Sequence, residues 1–366
     1  MKRRTSFAHA AVCSALLAGC AASDAPTTPP PGNTAPYADL AVRKTNVSGV
    51  VFDPEALFFS FATWPKNPDD PTEEPPPPAL LYGMPTVMRA SAWGAKVHLV
   101  DATGAVADTS SPAMAPWGQW QTEKGISPDA SMVYLMQAES TPEMTIGASD
   151  IFPAEAGFLP IPAATYFPTV TLRPLAPTGT QCMIQMATLV GDAGALGALS
   201  KTLSTETGTA VTPASLADPS SGRAVALIWV YSPSPVLDLF MYPSGDIAAE
   251  TNRGSLYALD WAPPTGAPGQ SAMGFTAKRN GVSSLGYYAL VVPPNVAGPV
   301  KVSFVDTITN KPDGRPWSVS PLNMPGLPPG LSFTRLLASS ETGPEKEDPF
   351  AEEELPPDFS FLCFPP

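Results

Sequence analysis

The chain has 366 residues, of which 44% are hydrophobic, 14% are charged and 47 are proline, and its formal net charge is −13. A chain of this length and apolar content can bury a sizeable core, in one domain or in two. Its acidity argues against binding to nucleic acid or to anionic lipid headgroups, because like charges repel. The proline content argues against long helices and uninterrupted central strands, since proline lacks the amide donor that both require.

A basic cluster opens the chain, and a short apolar run follows it. Lys2, Arg3 and Arg4 precede an apolar segment over residues 7–19. As a helix this segment would cover roughly 20 Å, which is short of the roughly 30 Å hydrocarbon core of a bilayer. The pattern therefore predicts a secretory signal segment rather than a membrane-spanning helix.

The signal segment ends in Leu17-Ala18-Gly19-Cys20, which resembles the lipobox of bacterial lipoproteins. The resemblance implies that residues 1–19 are removed as a signal peptide and that Cys20 carries acyl chains, which together give stable membrane anchoring. The alternative is an ordinary signal peptide cut near Ala21. In the sorting pattern of enteric lipoproteins, Ala21 directly after the lipidated cysteine implies the outer membrane, with the protein facing the periplasm or the cell surface. Cleavage removes three positive charges, so the net charge would change from −13 to −16.

The next part of the chain is expected to be a tether and a first strand-rich region. Residues 20–43 are rich in proline and threonine and predict a partly extended tether. Residues 65–79 are an acidic, proline-rich insertion that cannot form regular structure. On either side of this insertion, the alternation of apolar residues predicts strands over 46–52, 96–100, 120–123, 132–136 and 166–175. Turns are predicted at Asp53-Pro54 and, as a hairpin, at 101–104. An aromatic-rich apolar run occupies 57–63.

The middle of the chain has a helical pattern. Leu196, Leu199 and Leu203 follow the spacing of one helix face, which predicts a helical stretch over 180–203 with Asp192 as its N-cap. Residues 205–222 read as a polar connection. We therefore expect residues 177–222 to link two strand-rich regions.

Short apolar runs between Pro/Gly turns then predict a second strand-rich region, with strands over 223–231, 236–242, 255–261, 272–278, 285–292 and 299–306. The predicted fold class is thus mainly β, with two antiparallel β-sandwich-like domains over 44–176 and 223–340 and a short helical segment between them. Residues 341–358 carry eight acidic side chains and one lysine and are expected to be disordered. Residues 359–366 are abruptly apolar and are expected to dock on the protein.

Three short motifs in the first region resemble carboxypeptidase regulatory-like (transthyretin-like) β-sandwich domains. They are the strand at 47–51, the segment Gly-Ala-Lys-Val-His-Leu at 94–99, and Gly118-Gln119-Trp120. The acidic insertion departs from the family pattern, and the second region lacks the early glycine. The resemblance implies β-sandwich modules with a structural or binding role and adds no catalytic residue.

The motifs of common enzyme classes are missing from the sequence. Without residues 1–19, His98 is the single histidine, and it alternates with Val97 and Leu99, which predicts a solvent-facing position on a strand. No G-x-S-x-G, S-x-x-K, H-E-x-x-H, Walker A or G-x-G-x-x-G motif occurs. The sequence therefore favours a non-enzymatic protein without a cofactor.

Three weaker ligand hypotheses remain open. Carboxylates clustered in the insertion could bind calcium: Asp69, Asp70, Glu73 and Glu74. A hydrolase could use a carboxylate pair that no motif marks, but these four lie in a proline-rich loop that would not hold the fixed geometry it needs. Methionine pairs could hold copper but are more typical of core packing: Met132, Met136, Met183 and Met186. Trp117 could form a platform for a sugar ring, whereas Trp120 is expected in the core.

Cys182 and Cys363 remain once Cys13 is removed and Cys20 is acylated. An even pair in an oxidising compartment predicts a disulfide between Cys182 and Cys363, with two thiols as the alternative. Phe359, Phe361 and Cys363 alternate as in a short strand.

The sequence as a whole therefore predicts a lipid-anchored binding or scaffold module of the cell envelope. Its expected partners are the membrane, through Cys20, and an envelope protein or glycan, but not nucleic acid. The alternatives are a periplasmic hydrolase with a carboxylate site and a metal-handling lipoprotein.

Overall fold

The computed structural model describes residues 44–63, 88–127, 132–147, 159–176, 182–232, 242–243, 246–307 and 318–339. The predicted signal peptide, tether, acidic insertion, acidic segment and apolar segment 359–366 lie outside the described residues, as does most of the predicted strand 236–242. Cys20 and Cys363 lie outside them too. Within the described part, no helix has both the length and the apolar character needed to cross a membrane.

Besides the helical residues 88–90, the described residues form three α-helices, one 3₁₀ turn and twenty-one strands. The helices are α1 (Pro54–Ala62), α2 (Ala195–Thr207) and α3 (Pro213–Ala217), and the 3₁₀ turn is Pro219–Ser221. The strands of the first region are β1 (Asn46–Phe52), β2 (Ala92–Trp93), β3 (Lys96–Asp101), β4 (Val106–Thr109), β5 (Gln119–Gln121), β6 (Tyr134–Glu139), β7 (Thr145–Ile146), β8 (Tyr166–Phe167) and β9 (Thr169–Leu175). The others are β10 (Cys182–Thr188), β11 (Val190–Gly191), β12 (Ala224–Ser232), β13 (Tyr242–Pro243), β14 (Ile247–Thr251), β15 (Ser255–Trp261), β16 (Phe275–Arg279), β17 (Tyr287–Val292), β18 (Val300–Asp306), β19 (Ser318–Val319), β20 (Leu322–Met324) and β21 (Gly330–Ser339).

The largest sheet has the strand order β16-β15-β17-β12-β21-β9-β6-β3-β4, with β13 beside β12 and β19 beside β21. Two three-stranded sheets, β10-β1-β5 and β14-β18-β20, accompany it, together with two-stranded pairs. The prediction of a mainly β, sandwich-like fold is confirmed. Three ladders are nevertheless parallel, namely β1 with β10, β12 with β21 and β21 with β9, although antiparallel pairing is expected from the sequence.

The two strand-rich regions meet in the largest sheet. Strand β9, from the first region, pairs with β21, from the second, through Leu331 opposite Thr169 and Phe333 opposite Thr171. Strands of both regions are therefore hydrogen-bonded in one sheet. Sequence alternation shows where a strand lies but not which distant strand it pairs with, so it contains no signal for this ladder.

Several local predictions agree with the structure to the residue. The strands β1 and β15 have the predicted bounds, 46–52 and 255–261. The hairpin turn at 101–104 forms, with the Gly104 amide donating to the Asp101 carbonyl at 3.0 Å and Gly104 at φ +83°. A positive φ is what glycine supplies at such a turn.

The turn predicted at Asp53-Pro54 is wrong, because these residues begin α1. Asp53 is the N-cap and Pro54 occupies the first turn, so the apolar run over 57–63 is mostly helical. The pair Asp-Pro is a turn signal and also a helix-start signal, since proline needs no amide partner at the first helical position. Local sequence alone does not separate the two.

The predicted helical stretch over 180–203 begins too early. Cys182–Thr188 is the strand β10, and α2 starts at Ala195 with Gly194, not Asp192, as its N-cap. The leucine spacing that indicated the helix is correct, since Leu196, Leu199 and Leu203 all lie in α2. Residues 182–188 form a strand because they pair with β1, and this long-range pairing overrides their local helical preference.

The largest core lies where α1 and α2 pack on the main sheet, and we call it the helix-side core, with Phe58, Trp229, Phe275 and Tyr287 at its centre. The rings of Trp229 and Tyr287 are stacked with centroids 4.1 Å apart, and Phe58 lies 5.3 Å from Trp229. Burial of such aromatic side chains contributes heavily to stability. This packing brings the start of α1 against the start of α2 and against β17.

Candidate functional site

Two carboxyl groups at the junction of β1 and α1 form the most strongly perturbed cluster of the described residues. Asp53 and Glu55, here called the acid pair, are 1% and 0% exposed. Asp53 caps α1, because its Oδ1 accepts from the amides of Glu55 at 2.8 Å and Ala56 at 3.1 Å. Its second oxygen, Oδ2, accepts from the hydroxyl of Tyr166 at 2.8 Å.

Glu55 links α1 to two other elements. The hydroxyl of Tyr287, on β17, donates to Glu55 Oε1 at 2.5 Å, and the amide of Ala195, the first residue of α2, donates to Oε2 at 3.0 Å. Gly194 allows this approach, since a Cβ there would lie 1.6 Å from Oε2. The positive end of α2 favours the carboxyl oxygen at this place.

Burial changes the protonation of the acid pair. Loss of water raises the pKa of Asp53 to about 6. Burial, and then the charge of Asp53, raise the pKa of Glu55 to about 8. Burial likewise raises the pKa values of Tyr166 and Tyr287 above the usual range, so both hydroxyls keep their hydrogen. Glu55 therefore carries a proton at neutral pH.

Paired carboxyls with raised pKa values are typical of general acid–base sites. Here, however, each carboxyl oxygen accepts a hydrogen bond from within the protein. With at most 1% exposure, neither carboxyl can contact a substrate unless α1 moves away. The acid pair is thus arranged to join α1, α2, β8 and β17.

Sequence reasoning missed the acid pair. The local signal, Asp-Pro-Glu before an apolar run, is that of a helix N-terminus. The tyrosine partners are 113 and 232 residues away along the chain, and no local pattern reports them.

His98 lies on β3, on the face opposite the buried Val97 and Leu99, but contacts with neighbouring strands cover most of its side chain, so the predicted solvent-facing position is not what the structure shows. Its Nδ1 is 2.9 Å from Thr109 Oγ1 and its Nε2 is 3.5 Å from Glu139 Oε2, so its side chain is only 17% exposed. The hydroxyl of Thr109, the imidazole of His98 and the carboxylate of Glu139 thus lie one after another, and this row at His98 resembles a nucleophile triad.

Among the described residues, the neighbours of His98 do not supply the other parts of such a site. The amide of Thr109 donates to Asp108 Oδ1 at 2.8 Å, so it is not directed at a substrate oxyanion. Glu139 is 43% exposed, which screens its charge from the imidazole. The contacts are those of neighbouring strands in one sheet.

Burial shows where the tryptophans and methionines of the ligand hypotheses lie. Trp120 is 1% exposed and lies in the core, as predicted. Trp117 is half-buried and packs against the helix-side core, so only part of its ring is open to a ligand. Met136 lies in a core cluster, and the other three methionines are partly buried and pack against core clusters: Met132, Met183 and Met186.

Metal-binding residues do not converge in the described part of the chain, where no group of three His, Cys, Asp or Glu side chains could hold an ion. The acidic residues proposed for calcium, Asp69, Asp70, Glu73 and Glu74, lie outside the described residues. Cys182 is disulfide-bonded, and its Sγ is 3.3 Å from Ser48 Oγ. Its predicted partner Cys363 lies outside the described residues.

An open apolar groove of about 350 Å³ lies where β17 ends and β12 and β21 begin. It is lined by Gly222, Ala224, Val292, Pro293, Asn295, Val296, Ala297, Gly298, Val300, Gly326, Leu327 and Pro329. None of these lining residues is ionisable. The groove could hold an apolar group, but it supplies no acid, base or nucleophile.

Comparison with known proteins gives no family. No protein-family model matches the chain, and no curated protein matches it. Among solved structures, the Bacillus anthracis TIE protein aligns with a TM-score of 0.18 and 6% identity, over 81% of this chain and 34% of that one. The chain thus spans about a third of the length of that protein, and a similarity this low carries no argument about fold or function.

Proposed function

We propose that this protein is a non-enzymatic binding or scaffold module of the cell envelope, anchored to the outer membrane by acyl chains on Cys20. The observation that carries the proposal is the sequence Leu-Ala-Gly-Cys at 17–20, after a basic cluster and a short apolar run. Acyl chains at one end and a folded β-rich body at the other suit a module that holds or binds another envelope component.

The chemistry of the described residues supports a non-enzymatic role. The acid pair is buried and hydrogen-bonded within the protein, and beside His98 the amide of Thr109 donates to Asp108 rather than toward a substrate oxyanion. The apolar groove has no ionisable lining residue.

A periplasmic hydrolase is the second candidate, and the acid pair is the observation that favours it, because two adjacent carboxyls have raised pKa values. Replacing both with amides, as Asp53→Asn and Glu55→Gln, would abolish general acid–base chemistry. We expect the double variant to keep whatever envelope phenotype the protein supports. Loss of that phenotype in a variant with a normal melting temperature would favour the hydrolase.

A metal-handling lipoprotein, binding calcium or copper, is tested by metal analysis of the purified protein.

Lipid anchoring is tested by metabolic labelling with a fatty acid. Cys20→Ala should abolish the label and move the protein out of the membrane fraction, because the acylated thiol is lost. Cys13→Ala is the matched control, since it changes a cysteine of the same segment and should leave labelling intact. A Cys20→Ala protein that is cleaved normally and stays in the membrane would overturn the proposal.

A glycan partner is tested by sedimentation with purified cell-wall sacculi. If the protein binds glycan through the exposed part of Trp117, then Trp117→Ala should reduce the cosedimented fraction. Equal sedimentation of both proteins would remove Trp117 as the platform.

A further inference from the structure

The apolar groove at the end of β17 opens onto a buried core. Its most deeply buried lining residues are Ala224, Val292 and Val300, which are 5%, 4% and 2% exposed and belong to the core cluster formed by the main sheet and the sheet β14-β18-β20. Leu327 packs against the same cluster, and Val296 of the lining is 38% exposed. The groove volume of about 350 Å³ falls within the range of about 300–1,000 Å³ that is typical of ligand sites.

A cation lies beside this apolar lining. Arg253 is in the loop between β14 and β15, and a Cβ on the lining residue Gly298 would lie 2.8 Å from its Nη2. The Nε of Arg253 donates to the Pro299 carbonyl at 3.0 Å, which holds the guanidinium next to the groove. Neither ion pair of the described residues includes Arg253, so no carboxylate there lies within 4 Å of this group.

The combination of lining and cation defines a ligand chemistry. Asn295 has the one polar side chain among the lining residues, so the groove itself suits an apolar chain. The guanidinium of Arg253 keeps its charge at all ordinary pH values, and its planar fork of N–H donors matches a carboxylate. A single guanidinium balances one negative charge, which favours a carboxylate over a phosphate monoester with its charge of about −2.

We propose that this groove binds a long-chain carboxylate, with the apolar chain on Val292, Val300 and Leu327 and the carboxylate on Arg253. A methylene group is close to a water molecule in volume, and at about 30 Å³ each the groove holds a chain of about twelve carbons. The site rests on the proposed role as a binding module and names a ligand class for it, but it does not depend on acylation of Cys20.

The acidity of the chain is compatible with this ligand. Exposed charges farther away than the Debye length, about 8 Å at physiological salt, are largely screened, whereas the guanidinium would contact the carboxylate directly. A bilayer of anionic lipids would instead bring many negative charges against an acidic protein surface. The expected ligand is therefore a single fatty-acid molecule.

The test titrates the full chain carrying Cys20→Ala with dodecanoate, so that neither acyl groups nor detergent compete for the groove. Calorimetry should show saturable binding of one dodecanoate per protein. Decanoate, which is shorter by two methylene groups, should bind at least about fivefold more weakly, because it withdraws less apolar surface from water. Dodecanol has the chain without the charge and should bind at least about tenfold more weakly.

Two variants locate the ligand on the protein. Arg253→Gln should weaken dodecanoate binding at least about tenfold and leave dodecanol binding unchanged, since only the charged partner is lost. Val296→Asp should also weaken dodecanoate binding at least about tenfold, because it puts a negative charge into the apolar lining. The matched controls are Arg173→Gln, at an exposed arginine of β9, and Val305→Asp, at a valine of β18 that is 63% exposed and outside the lining.

Three results would overturn the site. They are the absence of saturable dodecanoate binding, equal affinities for dodecanoate and dodecanol, and affinities for dodecanoate that Arg253→Gln and Val296→Asp leave at the level of the controls. Each would refute the groove as a fatty-acid site and leave the lipid-anchor proposal standing, because acylation of Cys20 is measured separately by labelling. Conversely, failure of that labelling would refute the anchor without affecting binding in the groove.

Discussion

Glu55 is held between Tyr287 and the first turn of α2, with its side chain withdrawn from water. An ionised carboxylate in such a place costs several kcal/mol, so the group retains its proton instead. The protonated form fits the site, because Oε2 still accepts from the amide of Ala195 while a hydrogen on Oε1 is donated to the Tyr287 oxygen, so that the direction of the bond to Tyr287 reverses when Glu55 takes up its proton.

The acid pair predicts that stability depends on pH. The folded-state pKa values, about 6 for Asp53 and about 8 for Glu55, are raised from the ordinary values of 3.8 and 4.5. The folded protein therefore binds these protons more tightly than the unfolded chain, so this stabilisation is complete below pH 4 and is lost as pH rises through 6 and 8. Urea unfolding should show the free energy of unfolding falling by a few kcal/mol between pH 5 and pH 9.

Glu55→Gln should reduce this pH dependence, since the amide has no proton to lose and can still accept from Ala195 and donate to the Tyr287 oxygen. Glu206→Gln is the control, because Glu206 also accepts from a tyrosine, Tyr257, but is partly exposed. A Glu55→Gln protein with the slope of the wild type would contradict the assignment.

Gly194 is predicted to tolerate no side chain. A Cβ at this position would lie 1.6 Å from Glu55 Oε2, which is far closer than two non-bonded atoms can approach. Gly194→Ala should lower the free energy of unfolding by about 3 kcal/mol, the upper part of the range for overpacked sites. Gly326→Ala, where a Cβ meets nothing within 4 Å, should change it by less than about 0.5 kcal/mol. Comparable losses in the two variants would refute the contact.

At the scale of the element, α1 depends on Asp53 for its start. The helix buries almost all of its length, and Asp53 caps it while also bonding Tyr166. Sequence periodicity does not find this helix, because its apolar residues are not confined to one face. A helix buried on all sides is stabilised by packing rather than by amphipathic pattern.

Removing this cap should be costly. Asp53→Ala should lower the free energy of unfolding by about 2–3 kcal/mol, because two amides and a tyrosine hydroxyl lose their acceptor. Asp53→Asn keeps one capping oxygen and should cost less. As control, Asp218→Ala removes the cap of the exposed 3₁₀ turn and should cost less than about 1 kcal/mol. Thermal and urea unfolding measure all three, and equal losses at Asp53 and Asp218 would contradict the cap's buried role.

At the scale of the whole molecule, the ladder between β9 and β21 joins strands of the two sequence regions into one sheet. The main sheet also contributes to all three core clusters, as Leu99, Ile228 and Trp229 show. Loss of either region would expose backbone donors and apolar surface of the other. The described part of the chain should therefore unfold as one unit.

This cooperativity can be measured with fluorotryptophan-labelled protein. Trp120 lies in the core between β1, β3 and β6, and Trp229 lies in the helix-side core. Their resonances, assigned with Trp120→Phe and Trp229→Phe, should disappear at the same urea concentration. Midpoints that differ by more than the error of the fit would indicate two independently folding domains.

The sequence by itself determined what depends on neighbours along the chain. Alternating apolar residues fixed the bounds of β1 and β15, glycine fixed the turn at 101–104, and leucine spacing located α2. The lipobox-like sequence at 17–20 is also local, and it remains the basis of the functional proposal. These features follow from residue type and short-range geometry, which one chain displays without knowledge of its fold.

Tertiary structure decided the rest. In the folded protein Asp53 and Pro54 begin a helix instead of the predicted turn, and Cys182 lies in a strand instead of the predicted helix. Strands β9 and β21 pair in parallel. It also brought Tyr166 and Tyr287 to the acid pair across 113 and 232 residues. A polar side chain has several local roles of similar energy, and the choice among them is made by which distant partner burial brings within hydrogen-bond distance.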